Sequence, residues 1–373
     1  MKPDLWLFRR PNSGEPFAME ITPVARDWSR SIAAMGGHKL GTFSASEETL
    51  SSDEMTDWFN DYLGCVVQET CYGIESWQGL VWEMHLIQAG VEYVRTLDPA
   101  WFKNRVKVMY TDDSGASQSI AYLSNADSLA EYGRCDWIEV MGGGLAVPMA
   151  QRQAALLLEY GWPRSRQMGT IELPVPPSGR PDGLYVTVAG FWATLGWRYY
   201  ETSLTAQAGA WVDTLRAASE WITAKRLEAN TMSVYLDCSI PKRLADALRE
   251  ITEQGDAAGN VWRCGVYGRG LVYEPVPVTV THSIQDGRLV DAAGGEVVPW
   301  LLEPGFLLRN ASAPTGGVPA GTSSLWDDPR NVYVPELEVT AGQGEQPDVL
   351  RLLLPDQSAP LTVMYARQEA ISK

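Results

Sequence analysis

The sequence contains few of the side chains that metal and redox sites use. It has only three histidines, His38, His85 and His282, and they lie far apart at spacings that match no metal-binding motif. Its cysteines number five, an odd count, and none of them forms a Cys-x-x-Cys pair. We therefore expect no bound metal and no cofactor, and we interpret the cysteines as reduced and mostly buried.

Catalytic motifs are also lacking. There is no Gly-x-Ser-x-Gly turn for a serine nucleophile, and the glycine-rich stretches at 142–144 and 268–270 lack the lysine and the strand–turn–helix frame of a phosphate-binding loop. Adjacent carboxylates occur at 47–48, 112–113 and 327–328, in contexts typical of turns and helix starts. We predict that the chain is not an enzyme. A glycoside hydrolase that uses two carboxylates remains the least favoured alternative.

Positive charge is in short supply. Thirty Lys and Arg residues stand against 46 Asp and Glu, which gives a formal net charge of −16. Such a field repels phosphate backbones, so sequence-specific nucleic-acid binding is disfavoured. No apolar run approaches the length of a membrane span, and no secretory leader pattern opens the sequence, so we expect residence in the cytoplasm rather than in a membrane.

Apolar and aromatic residues, in contrast, are plentiful. They make up 45% and 10% of the 373 residues, which is enough to bury several cores, and the length favours two to four folded units. Most of the pattern alternates with the period of strands, and a few stretches have the period and end signals of helices. The helical stretches are Ser51 to Gly64, Pro148 to Tyr160 and Leu204 to Ala229. The pattern from Arg243 to Gly259 predicts a helix followed by a turn, and a further amphipathic stretch runs from Trp28 to Gly37. These patterns predict an α+β fold that is predominantly β.

The clearest hairpin in the sequence pairs Cys65 to Tyr72 with Ser76 to Gln88. The second strand places Trp77 and Trp82 mostly on one face, apart from a slip at Gly79 that predicts a bulge. The chain has fifteen tryptophans in all, and packing in cores and interfaces is their most common use. A sugar-binding platform is the alternative interpretation for the four that lie in strand-like runs, namely Trp77, Trp82, Trp101 and Trp137.

Four segments in a fixed order resemble the tail hub, or baseplate hub, proteins of long-tailed bacteriophages and the hub part of type VI secretion spike proteins. Most of the likeness lies between Gly64 and Ala146. The segments are ESWQGLVWEM (Glu75 to Met84), NRVKVMYTD (Asn104 to Asp112), NADSLAEYG (Asn125 to Gly133) and PMAQRQAALLLEYGWP (Pro148 to Pro163).

The resemblance marks seven residues as structural or interface candidates. The first segment carries the W-x-G-x-V strand signature with Trp77 and Gly79, followed by Trp82; the third carries the D-S-x-x-x-Y-G turn. In that turn Asp127 and Ser128 are expected to cap a short helix, and Tyr132 with Gly133 is expected to end it against the sheet.

The resemblance implies tail-tube-like β-barrel domains with inserted small α+β domains. We expect four units: a first tube-like domain at 1–100, a middle α+β domain at 101–195, a second tube-like domain at 196–299 and a small β-barrel or sandwich at 300–373. The resemblance further implies a homotrimeric ring in the virion, assembled in the host cytoplasm. The expected partners are the tail tube protein, distal tail or baseplate proteins, the tape-measure protein, and spike or fibre proteins, with DNA passing through the lumen. A carbohydrate- or receptor-binding tail protein is the alternative.

Overall fold

A computed structural model describes residues 3–10, 17–161, 179–276, 280–285, 288–309, 331–342, 346–355 and 360–365. Strands dominate these residues, with a few helices between them, which confirms the predicted class. The helices are α1 (Ser52–Asp61), α2 (Ala126–Tyr132), α3 (Val147–Gly161), α4 (Trp192–Leu195), α5 (Ala208–Ala217) and α6 (Leu244–Glu253).

The strands fall into one large sheet and four small ones. Those of the large sheet are β1 (Asp4–Phe8), β2 (Ala18–Glu20), β3 (Arg26–Ala33), β4 (Gly36–Ala45), β5 (Val66–Cys71), β6 (Ile74–Gln88), β7 (Val91–Thr96), β12 (Gly183–Gly190), β15 (Ala224–Leu227), β18 (Trp262–Tyr267), β19 (Gly270–Pro275), β24 (Glu336–Thr340), β25 (Asp348–Leu353) and β26 (Leu361–Tyr365). The others are β8 (Arg105–Thr111), β9 (Ser117–Ser119), β10 (Leu123–Ser124), β11 (Asp136–Met141), β13 (Tyr199–Tyr200), β14 (Leu204–Gln207), β16 (Ser233–Leu236), β17 (Lys242–Arg243), β20 (Val280–Gln285), β21 (Arg288–Asp291), β22 (Phe306–Arg309) and β23 (Asn331–Val334).

The large sheet has 14 strands and curls into a half-barrel. Its main path runs β2-β1-β5-β6-β12-β4-β3-β24-β25-β26, with β7 beside β6 and the β18–β19 hairpin beside the start of β4. Strands from all four of the predicted sequence ranges therefore share one sheet. The four domain boundaries themselves stay a prediction.

Strand β6 lies near the middle of this sheet, and its pairing shifts register twice, at Ser76 against β5 and at Trp82 against β12. The predicted hairpin forms, with a two-residue turn at Tyr72 and Gly73, both at positive φ as the tightest hairpin turns require. The predicted bulge at Gly79 is misplaced, because Gly79 pairs in register with Val67 and Gly190. The register instead shifts around Trp82, which has no direct partner on β12.

Two predicted helical stretches are wrong in type or extent. Trp28 to Gly37 is not helical: strand β3, a tight turn and the start of β4 occupy it. Leu204 to Ala229 contains the strand β14, the helix α5 and the strand β15, so its helix is much shorter than predicted. The predicted strand at 171–176 and the predicted mobile loop at 311–329 lie outside the described residues.

A small α+β unit follows β7. Its sheet places β8 at the centre, parallel to β11 and antiparallel to β9 and β10, and α3 packs on one face. A separate apolar core fills the space between helix and sheet, formed by Val106, Val108, Tyr110, Ile120, Ala150 and Ala154. The predicted helix at Pro148 to Tyr160 is confirmed as α3.

A buried chain of polar contacts joins the N-terminal strands of the large sheet to its C-terminal strands. Arg30 on β3 donates from Nε to Glu69 Oε1 on β5 at 2.9 Å, and both side chains are fully buried. The Arg30 Nη2 group also donates to the carbonyl of Trp300 at 2.6 Å. The Trp300 indole in turn donates to Asp348 Oδ2 at 3.0 Å, beside the start of β25. Because buried charges need partners, these contacts fix the C-terminal strands against β3.

Candidate functional site at the aromatic junction

The seven residues predicted from sequence lie in two places. Trp77 and Gly79 belong to the centre of the large sheet, where Trp77 is 0% exposed and stacks on His38 with ring centroids 5.5 Å apart. A Cβ atom at Gly79 would lie 2.5 Å from the carbonyl oxygen of Ala189 and 2.6 Å from the Trp77 ring. Glycine is therefore required here because backbone and indole approach closely.

His38 acts as a neutral acceptor inside this centre. Its Nδ1 accepts hydrogen bonds from the backbone N–H groups of Gln78 at 3.0 Å and Gly268 at 3.2 Å. Burial, together with the charge of Arg30, lowers the pKa of His38 to about 3. The imidazole thus ties β4 to β6 and to the turn of the β18–β19 hairpin without carrying charge at neutral pH.

The other candidates lie where the large sheet meets the small α+β unit. Here five rings pack edge to face or stacked, a cluster that we name the aromatic junction: Trp82, Phe102, Tyr132, Trp197 and Trp221. Trp82 stacks on Trp197 at 5.3 Å, and Phe102 meets Tyr132 edge to face at 5.5 Å. Such pairs stabilise beyond the area they bury, by about 0.5–1.5 kcal/mol each. Burial raises the pKa of the Tyr132 hydroxyl, which stays neutral.

Helix α2 supports one side of the junction, and its cap differs from the prediction. The N-cap is Asn125, whose Oδ1 accepts the backbone N–H of Ser128 at 3.0 Å. Asp127 is an exposed first-turn residue rather than the cap, and Ser128 is buried. Gly133 ends the helix at φ 74°, with the Trp221 indole and Glu220 close to its Cα hydrogens.

Asn104, which the sequence analysis did not single out, connects the segments. Its Nδ2 donates to the carbonyl of Gly133 at 2.7 Å and to Ser128 Oγ at 3.3 Å, and its Oδ1 accepts from Cys135 N–H at 2.8 Å. It is fully buried. One amide therefore joins the start of β8, the end of α2 and the start of β11. In the sequence, Asn104 stands directly before a strand, and nothing in that pattern indicates this role.

An ion cluster fastens the small unit to the following chain. Asp136, at 3% exposure, contacts Arg105 at 3.0 Å and Arg198 at 3.2 Å. Burial raises the pKa of Asp136, although both guanidinium groups oppose that shift. Nearby, Lys107 reaches Glu201 at 2.5 Å. These contacts join strands β8 and β11 of the small unit to residues 198 and 201, which follow it in the chain.

The carboxylate pairs considered from sequence have other roles. Asp112 closes a turn by accepting from Ser114 and Ala116, and Glu48 pairs with Arg26 at 2.8 Å. The pair at 327–328 lies outside the described residues. Within the described ranges, no group of three or more His, Cys, Asp or Glu residues is placed to hold a metal ion. Among the helices the structure describes, none is long and apolar enough to cross a membrane.

The four tryptophans of the sugar-platform interpretation do not form one exposed row. Trp77 is buried, Trp82 is covered by Trp197, and Trp137 lies under Lys103 with its Nε1 donating to Glu139. Trp101 is the exposed member, at 59%. Flat indole faces that stack on a sugar must be open to solvent, so this arrangement favours internal packing.

No protein-family model matches the chain, and no curated protein matches it. Among solved structures, the chain is similar to the crystal structure of a 43 kDa tail protein of prophage MuSo2 from Shewanella oneidensis. The identity is 7% and the TM-score is 0.43, with 98% of each chain covered. At this identity and TM-score, the likeness identifies neither the family nor the function of the chain.

Proposed function

We propose that this chain is a structural protein of a bacteriophage tail, the ring-forming hub that joins the tail tube to the distal spike or fibres. The ring contains three copies, is part of the virion and assembles in the host cytoplasm. Its neighbours are the tail tube protein, the tape-measure protein, and distal tail or baseplate proteins. The chemistry of this role is packing and hydrogen bonding, not catalysis.

The observation that carries the proposal is that the first three hub-like segments meet at the aromatic junction, while the fourth packs against the second. The first segment supplies Trp82 from β6, and the second begins with Asn104. The third supplies Tyr132 and Gly133, and the fourth forms α3, whose last residue Gly161 accepts the N–H of Lys103 at 2.8 Å. The four segments are thus linked in the fold, three through the aromatic junction and the fourth through the packing of α3 on β8.

The polar face of the large sheet supports a channel-lining role. One cross-strand row on this face runs through Glu83, Thr187, Thr42, Ser29 and Thr340, on five successive strands. All five side chains are partly or fully exposed, while the opposite face is buried in the apolar core. A hydroxyl-rich wall in a chain of net charge −16 offers DNA no row of cations to bind. DNA can therefore pass along it without being retained.

Ring formation tests the proposal. The full chain is purified and measured by native mass spectrometry at micromolar concentration and by negative-stain electron microscopy. We expect a species with the mass of three 41.1 kDa chains and images of a ring with a central channel. A monomer at every concentration, and no ring in images, would count against the hub. A glycan-array screen examines the sugar-binding alternative, and specific glycan binding by a monomer would favour that alternative.

A further inference from the structure

A histidine on β6 lies between two carboxylates, and one of these belongs to the neighbouring strand β7. The Nδ1 atom of His85 is 2.6 Å from Glu92 Oε1 on β7, and its Nε2 atom is 2.8 Å from Glu83 Oε1 on β6. We name these three side chains the His85 bridge. Among the strands that the structure describes, β7 pairs with β6 alone. The bridge therefore adds a side-chain link to the one backbone ladder that holds β7.

The geometry of the bridge requires a charged imidazole. An ionised carboxylate only accepts hydrogen bonds, and a neutral imidazole has a single N–H group to donate. Both ring nitrogens of His85 contact carboxylate oxygens, so both contacts are hydrogen bonds only when both nitrogens carry a proton. After the loss of one proton, one ring nitrogen would present a lone pair to a carboxylate, and that contact would become repulsive.

The two carboxylates favour the charged form of the ring. The hydrogen bond with Glu83 raises the pKa of His85, partial burial opposes the shift, and the hydrogen bond with Glu92 adds to it, so the net direction is upward. In return, the hydrogen bond with His85 is the main cause that lowers the pKa of Glu83. The Glu92 side chain is only 4% exposed, so water screens its contact with the ring weakly.

The other neighbours of His85 contribute little charge. Its cross-strand partners are Val94 on β7 and Tyr185 on β12, and burial raises the pKa of Tyr185, which stays neutral. Arg180 lies over the Tyr185 ring, 5.0 Å from its centroid. Helix α1 packs on the opposite face of the sheet, where Arg95 donates to the carbonyls near the end of that helix. The charge state of the bridge is therefore set chiefly by its own three members.

We propose that the His85 bridge is a pH-sensitive fastener that holds the edge strand β7 on the large sheet. Because the pKa of His85 is raised in the folded chain, its stabilisation is fully present below the unfolded pKa of about 6.5 and is lost as the pH rises through the folded pKa. The pKa of Glu83 is lowered, so its contribution is lost only as the pH falls through that lowered value. The fastener lies within one chain and is independent of the proposed ring.

Imidazole 15N spectroscopy of the wild-type chain, labelled at histidine, tests the charge. The chain has three histidines, and two of them serve as controls, because burial lowers the pKa of His38 to about 3 and also lowers the pKa of His282. We expect the titration midpoint of His85 to lie above about 6.5 and the midpoints of the other two to lie below it. The variant His85→Gln assigns the signal. A midpoint of His85 at or below that ordinary value would overturn the proposal.

Hydrogen exchange measures the strand itself. After correction for the intrinsic pH dependence of exchange, the β7 amides of the wild type should lose protection by roughly threefold or more between about pH 6 and about pH 9. Strand β24, which pairs with β3 and β25, is the reference and should keep its protection. This comparison needs only the wild type. In His85→Gln, whose side chain is neutral at every pH, the protection of β7 should not change over this range. If β7 responded to pH equally in the wild type and in His85→Gln, the bridge would not be the fastener.

Discussion

At the scale of single residues, three aspartates each form the same type of turn. Asp112, Asp256 and Asp291 each accept backbone N–H groups from the second and fourth residues after them. The third residue after each is a glycine at φ 79–84°, which donates to the carbonyl of the aspartate. Hydrogen bonds led by those from Asn260 lower the pKa of Asp256 to about 2. The sequence predicted the first turn from the same residues, because this chemistry is local.

The cap of α2 yields a residue-scale prediction. Asn125→Ala removes the side chain that accepts the Ser128 N–H, so the free energy of unfolding should fall by about 0.5–2 kcal/mol. Asp127→Ala is the matched control, two residues along the same turn, and should cost less because Asp127 acts only through the helix dipole. Urea denaturation followed by circular dichroism measures both. If Asp127→Ala lowered the free energy of unfolding more than Asn125→Ala, Asp127 would be the capping residue, as the sequence suggested.

At the scale of elements, local signals determined what could be predicted. Helix α1 has both halves of a capping box, Ser51 and Glu54, and α3 has a proline start and a glycine end, so both were predictable. Strand β3 was not predictable. Its inward positions are Trp28, Arg30 and Ile32, and the charged Arg30 at a core position interrupts the apolar–polar alternation that indicates a strand. The charge of Arg30 is matched by Glu69, which belongs to another strand, and its guanidinium also donates to the distant Trp300 carbonyl. The parallel pairing of β8 with β11 and the role of Asn104 likewise depend on distant residues.

The buried ion pair provides the element-scale prediction. Arg30→Met leaves Glu69 without its cation inside the core, so the free energy of unfolding should fall by about 3–5 kcal/mol. In Arg30→Met/Glu69→Gln the residual charge is gone. The amide oxygen can accept from the Trp28 indole N–H, and the amide NH2 group can donate to the Ser76 hydroxyl, which now donates to the carboxylate. The double variant should therefore be more stable than Arg30→Met alone.

Chemical denaturation of the two variants and the parent measures this difference. The half-exposed pair of Arg351 with Glu338 serves as control, and Arg351→Met should change the free energy of unfolding by no more than about 1 kcal/mol. If the double variant were no more stable than Arg30→Met, the lone buried carboxylate would not be the cause of the loss.

At the scale of the whole molecule, the half-barrel is built from strands along nearly the entire chain. Strand β24, near the C-terminal end, pairs with β3 near the start, and β12 lies between β6 and β4. No local pattern encodes these pairings, so the sequence predicted strands but not their partners. In the described part of the chain, the main path of this sheet ends at β2 and β26, which each pair with one strand.

The net charge of the chain affects how strongly copies of it associate. Each copy carries −16, so copies repel one another at long range. Salt screens the repulsion, with a Debye length of about 30 Å at 0.01 M and about 10 Å at 0.1 M, but does not weaken contacts between apolar strands. Raising NaCl at constant pH should therefore lower the protein concentration at which half of the chains are in rings. Sedimentation velocity across a salt series measures that concentration. Dissociation of the rings on adding salt would show instead that ion pairs hold the copies together.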